Sequence, residues 1–250
     1  MSGHSHWSTI ARQKGAADVK RGATFTKVAN QVTMAAKLGG SGDPETNPRL
    51  RMAIETARSV NMPKENIQRA IDKGLGKLPG QTLDEVIYEG FGPGRVAFIV
   101  ECVTDNRLRT NPEVKTIFEK SGGTLGGVGS VSYMFSKKGE LKIKGKGGSV
   151  DDETLELIDL GVDDVEDFLE DNIQRYLVYT EGSELNTMGN KVTQAGFTVE
   201  SQELVMKPNV KQEITEPDLA KRVIEFVGKL QDNDDVQKVF DNADIAENLI

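Results

Sequence analysis

Residues 88–135 read YEGFGPGRVAFIVECVTDNRLRTNPEVKTIFEKSGGTLGGVGSVSYMF, and the reading of this stretch decides the fold. Val96 to Val103 is almost continuously apolar, as expected of a strand covered on both faces. Gly90-Phe91-Gly92-Pro93-Gly94 turns the chain ahead of it, so Val86 to Phe91 can pair with that strand as an antiparallel hairpin. Downstream, Asn111 can cap a helix with Pro112 at its first position. Val114, Ile117 and Phe118 give that helix an apolar face, and Gly122-Gly123 ends it. Val131, Tyr133 and Phe135 then alternate as a further strand. The stretch is a small α/β core.

Asp105-Asn106-Arg107-Leu108-Arg109-Thr110-Asn111 is the loop expected to enter that helix. Two guanidiniums stand just before amide groups that lack intrahelical partners, a place where a phosphate is stabilised. The competing reading pairs Arg107 and Arg109 with local carboxylates such as Asp105. Both readings stand at the level of sequence.

The 250 residues suffice for two or three compact domains, and the composition, 37% hydrophobic and 28% charged, is that of a globular protein. No apolar run approaches the ~20 residues of a membrane helix. The polar, basic N-terminus has no secretory h-region, so a cytoplasmic chain without membrane contact is expected. Cys102 is the single cysteine, which excludes internal disulfides and cysteine-based zinc sites. The net charge of −8 hides a strong polarity. Residues 1–78 hold 13 Lys/Arg against 6 Asp/Glu, residues 79–147 hold 10 against 8, and residues 148–250 hold 8 against 25. A basic front on an acidic chain is what a polyanion-binding face looks like in sequence.

Residues 1–22 lack periodicity and read as an extended arm carrying Trp7, Arg12, Lys14, Lys20 and Arg21. Such an arm can track a phosphate backbone and stack on a base, or Trp7 can anchor the arm on neighbouring helices. Thr24 to Leu38, which carries Lys27, reads as a helix with Phe25, Val28, Ala29, Val32 and Ala36 on one face. Asn47 and Pro48 start a second helix that turns Leu50, Ile54 and Ala57 inward and Arg51 and Arg58 outward. A third runs from Pro63 to Gly74. The second and third helices invite a helix-turn-helix reading with Lys64, Gln68 and Arg69 in a major groove, or plain phosphate contact without base reading.

Past the core, Lys137 to Lys146 continues as strand and basic hairpin edge. Asp151 to Asp171 holds eleven acidic and no basic residues, without calcium-loop spacing, and reads as a solvated helix and strand face. Arg175–Thr180, Glu184–Ala195 and Phe197–Met206 add strand, helix and strand. Lys207-Pro208-Asn209 reads as a return linker, after which a helix from Pro217 and a strand over Asp235–Asp241 can complete the central sheet.

Three motifs in order give the chain a family resemblance. They are Gly3-His4-Ser5-His6-Trp7 with Arg21-Gly22; Asn61-Met62-Pro63-Lys64-Glu65-Asn66-Ile67; and, in the central stretch, Tyr88–Gly94, Thr104–Arg107, Arg109-Thr110, Gly122–Gly126 and Gly129-Ser130-Val131. The chain resembles the YebC/PmpR family of probable transcriptional regulators, which also includes mitochondrial translational activators. His6, Ala11 and Ala23 stand where that pattern usually has lysine, so this arm is the less basic. The resemblance implies an α+β chain: an N-terminal three-helix domain followed by two ferredoxin-like α/β domains, one inserted in the other. The expected division is 1–78, then 79–136 plus 208–250, with 137–207 inserted.

Catalytic chemistry finds little support. His4 and His6 lie in the arm, which leaves no histidine for a triad in the folded domains and only a poor metal site. The glycines at 122–129 match neither a dinucleotide nor a Walker A loop, and read as backbone kept bare for a turn or for close approach of a partner. The expectation is a non-enzymatic nucleic-acid-binding regulator without a cofactor or small-molecule substrate. Its partner is DNA or, alternatively, ribosomal RNA in the manner of a translation factor. The candidate contacts are Trp7, Arg12, Lys14, Lys20, Arg21, Lys27, Arg51, Arg58, Lys64, Arg69, Arg107 and Arg109.

Overall fold

The computed structural model describes residues 21–78, 82–246 and 249, with side chains from Phe25 on. Trp7, Arg12, Lys14, Lys20 and the two histidines lie outside the described residues. The described residues divide into two compact units, one of 21–130 with 222–239 and one of 131–221 with 240–246.

The first unit opens with three helices, α1 (Arg21–Gly39), α2 (Pro48–Ser59) and α3 (Lys64–Gly74). Val32, Ala36, Leu50, Ala57 and Ile71 meet in their core, as the 3.6-residue periodicity requires. Asn47 starts α2 by accepting from the Leu50 amide at 3.1 Å. The same buried side chain donates to the Ala35 carbonyl at 2.9 Å, so the cap also fixes α2 against the end of α1.

The sheet of this unit has the order β3-β1-β2-β9, from Thr124–Leu125, Asp84–Phe91, Ala97–Thr104 and Val236–Asp241. β1 and β2 form the expected hairpin, Asp84 opposite Thr104 and Phe91 opposite Ala97. Helix α4 (Arg107–Lys120) crosses from β2 to β3. The ring of Phe226, from the C-terminal helix of the chain, stands edge-on to Phe98 and Phe118, at 4.8 and 4.9 Å between centroids. This cluster explains the hairpin glycines. A Cβ on Gly92 would lie 2.5 Å from the Phe98 ring, and one on Gly90 would lie 2.5 Å from the Thr124 carbonyl oxygen.

The second unit carries β4 (Phe135–Lys144), α5 (Val150–Asp159), β5 (Asp164–Glu170), β6 (Ile173–Glu181), α6 (Leu185–Gln194) and β7 (Thr198–Pro208). Their sheet order, β5-β6-β4-β7, with every neighbour antiparallel, is the split βαβ arrangement of a ferredoxin-like domain. The acidic run forms α5 and β5, and its charge is partly matched within the unit. Lys142 pairs with Glu170 at 2.8 Å, and Lys207 stands 3.6 Å over the Tyr179 ring beside Glu166. Within that run Glu153 is buried, where it accepts from the Lys146 and Gly148 amides and from the Tyr176 hydroxyl, at 2.7–2.9 Å. The chain ends in β8 (Gln212–Ile214), α7 (Pro217–Asp232), β9 and β10 (Ala243–Ile245), with β8 and β10 paired in parallel.

Three expectations need correction. Helix α4 begins at Arg107, because Asn106 rather than Asn111 caps it, accepting from the Leu108 and Arg109 amides at 3.1 and 3.2 Å. Pro112 therefore lies inside the helix, where it forfeits one intrahelical hydrogen bond. Val131 to Phe135 is not a strand: Ser132–Met134 forms a turn of 3₁₀ helix, and β4 starts at Phe135. Lys207 and Pro208 extend β7 instead of forming a linker, Pro208 pairing with Phe135 at the edge of the sheet.

Candidate nucleic-acid interface

Arg51 and Arg58 are seven residues apart on α2, two turns along one stripe and about 10 Å in rise. Both point away from Leu50, Ile54 and Ala57 into solvent. The chain then turns sharply at Asn61, whose φ of 60° is left-handed, while buried Met62 fastens the turn through its amide to the Ala57 carbonyl. Lys64 and Arg69 follow on α3, also exposed. Among the described residues none of these four cations has an ion pair or hydrogen-bonded side-chain partner. Gln68, the third residue of the suggested groove-reading set, donates to Asp72 at 3.2 Å.

The second cation cluster behaves differently. Arg107 and Arg109 occupy the first turn of α4 rather than a loop, and both face carboxylates. Arg107 lies 3.4 Å from Asp84 and remains largely exposed. Arg109 donates through Nη2 to both carboxylate oxygens of Asp235, at 2.9 and 3.0 Å, and lies 3.2 Å from Asp105. The hydrogen bond to Asp235 raises the Arg109 pKa above its usual value, with the Asp235 charge as the second cause. Asp235 is itself buried and accepts from the Thr110 hydroxyl at 2.7 Å and the Thr104 hydroxyl at 3.1 Å. Strand β2, helix α4 and strand β9 therefore meet on one carboxylate. Two freely displayed guanidiniums are not what the structure holds.

Lys27 is half-buried, and its amine donates to the Gln231 carbonyl at 2.6 Å, in the last turn of α7 where a cation is favoured. Arg21 opens α1, with only its backbone described. Asp235 stands 126 residues from Arg109 along the chain. No local pattern marks such a partner.

Residues 5–77 match the family model described as the TACO1/YebC protein N-terminal domain, and residues 83–243 match the model of the TACO1/YebC second and third domain. The chain belongs to the TACO1/YebC family. A probable transcriptional regulatory protein of Persephonella marina is 45% identical over 253 residues, spanning 100% of this chain and 98% of its own. One of Geobacter sulfurreducens is 46% identical over 248 residues, spanning 98% and 97%. The crystal structure of a conserved hypothetical protein from Aquifex aeolicus superposes with a TM-score of 0.85 at 40% identity, over 97% of this chain and 98% of that one.

Within this TACO1/YebC chain, much of the motif set that carries the likeness serves packing. Gly90 and Gly92 make room for the phenylalanine cluster, and Thr104, Asn106, Arg109 and Thr110 build the cap and the carboxylate network. Among the described residues there is no cluster of three metal-ligating side chains, and no helix long and apolar enough to cross a membrane. Cys102 is buried, and burial pushes its thiol up to about 12, so it stays protonated at neutral pH.

Proposed function

We propose that this TACO1/YebC-family chain is a non-enzymatic regulator of gene expression that binds nucleic acid through the outer face of α2 and α3. The observation that carries the reading is the set of four exposed cations, Arg51, Arg58, Lys64 and Arg69, on two consecutive helices, unpaired among the described residues. Lys27, Arg109, Lys142 and Lys207, by contrast, each have an internal partner. Unpaired cations in a row lower the free energy of a polyanion by releasing its condensed counterions. The names of the relatives, probable transcriptional regulatory proteins, point the same way.

Arg109 is assigned to holding β2, α4 and β9 together. Arg107, exposed beside it, is the more available of that pair for a phosphate. The acidic second unit repels polyanions and so directs them toward the first.

The test is a titration of labelled duplex DNA at several salt concentrations. Replacing Arg51 and Arg58 by alanine lowers the slope of log K against log salt by about 0.9 for each lost contact. An unchanged slope removes α2 from the interface. DNA and ribosomal RNA share these phosphate contacts. Co-sedimentation with ribosomes at moderate salt, without any preferred duplex, selects the translational role; protection of a defined duplex at nanomolar protein selects transcription.

A further inference from the structure

The glycine turn after β3 has no part in the α2–α3 surface, yet it is built with care. Gly126-Gly127-Val128-Gly129-Ser130 closes on itself through the Ser130 amide, which donates to the Gly127 carbonyl at 3.1 Å. Two further bonds clamp it to β1: the Gly126 amide donates to the Glu89 carbonyl at 2.8 Å, and the Gly129 amide to the Glu89 carboxylate at 2.9 Å. Glu89 is only 5% exposed. Beyond the clamp the apex is bare. Val128 is 96% exposed, and the amides of Gly127 and Val128 have no hydrogen-bond partner among the described residues.

Two of the three glycines are required by the fold. A Cβ on Gly126 would lie 2.4 Å from the Ser130 hydroxyl oxygen, and Gly129 has a left-handed φ of 87°. Gly127 is different. A Cβ there meets nothing within 4 Å, and its φ is not left-handed. The chain thus leaves the backbone bare where its own packing does not ask for it, next to two free donors on a clamped turn. That combination suits the close approach of an acceptor from outside.

We propose that this turn is a second nucleic-acid contact, in which the Gly127 and Val128 amides hydrogen-bond the sugar-phosphate backbone. The inference rests on the nucleic-acid reading above and adds a site to it. Short G-x-x-G loops hold nucleic-acid backbones in the same way, by letting main chain meet main chain. Because Glu89 lies beneath the turn, the apex contributes hydrogen bonds and access, while Arg51, Arg58, Lys64 and Arg69 supply the long-range attraction.

The experiment titrates the full chain against a labelled 20-nucleotide single-stranded RNA and a 20-base-pair DNA over a series of salt concentrations. Gly127→Ala, which the fold accommodates and which keeps the amide, sets a methyl group in the path of the approaching backbone and weakens binding about threefold to tenfold, comparable to one hydrogen bond. Its salt slope stays at the wild-type value, since an amide releases no counterion. At the exposed apex the sign of an added charge decides: Val128→Lys tightens binding and steepens the slope by about 0.7–0.9, whereas Val128→Glu weakens it.

If Gly127→Ala binds within twofold of wild type, or if Lys and Glu at position 128 act in the same direction, the turn does not meet a phosphate backbone. A loss on Arg51→Ala/Arg58→Ala without any effect at 127 or 128 overturns the turn alone. Failure of the wild-type chain to bind either probe overturns the nucleic-acid reading itself.

Discussion

Replacing Asp235 by alanine removes the acceptor on which three elements converge. The carboxylate takes the Thr110 hydroxyl at 2.7 Å, the Thr104 hydroxyl at 3.1 Å and Arg109 through two contacts of 2.9 and 3.0 Å. Each hydroxyl bond to a buried charge contributes about 1.5 kcal/mol. Arg109 is half exposed, so water screens its ion pair to about 1 kcal/mol or less. Asp235→Ala is therefore expected to cost about 3–4 kcal/mol, and Arg109→Ala about 1 kcal/mol, because the two threonines still satisfy the carboxylate in that variant.

Urea denaturation followed by circular dichroism measures both, with an unchanged m-value confirming that stability alone has moved. A double-mutant cycle isolates the Arg109–Asp235 coupling. The reasoning is refuted if Asp235→Ala costs less than about 1 kcal/mol, or if Arg109→Ala costs as much as Asp235→Ala. Should Arg109→Ala leave stability untouched and flatten the salt dependence of nucleic-acid binding, Arg109 is a phosphate contact and the structural assignment is wrong.

Two further outcomes follow from packing and burial. Gly92→Ala forces a methyl group to within 2.5 Å of the Phe98 ring and 2.8 Å of the Phe226 ring, an overpacking worth about 1–3 kcal/mol, read as a lower Tm in calorimetry; an unchanged Tm would mean that the ring cluster is loose. The Cys102 thiol has a folded pKa raised from 9.0 to about 12 by burial, so its contribution is intact below the unfolded value and is lost as pH climbs through that window. Stability should fall by up to about 1.4 kcal/mol for each pH unit in that range, and Cys102→Ala should fall less steeply. Equal slopes for the two proteins would count against the buried thiol.

The strands and helices of this chain were largely legible because they follow short-range rules. The apolar run of Val96–Val103, the hairpin glycines before it, the Asn47-Pro48 start of α2 and the outward placement of Arg51 and Arg58 each follow from a few neighbouring residues. The start of α4 was not legible. Asn106 and Asn111 are both competent caps, and the choice falls to Asn106 because Thr104 and Thr110 on either side of it are drawn together on Asp235, far along the chain.

The same contact separates cations that look alike in sequence. Arg58 and Arg109 each have a carboxylate nearby in the chain, yet one is exposed with no partner among the described residues and the other lies against a buried aspartate. Local sequence settles which face of a helix a charge occupies, since that depends on periodicity alone. Whether the charge remains available to a ligand depends on which carboxylate the folded chain brings to it, and only the tertiary structure decides that, because the energy of a pair is set by distance and burial rather than by separation along the backbone.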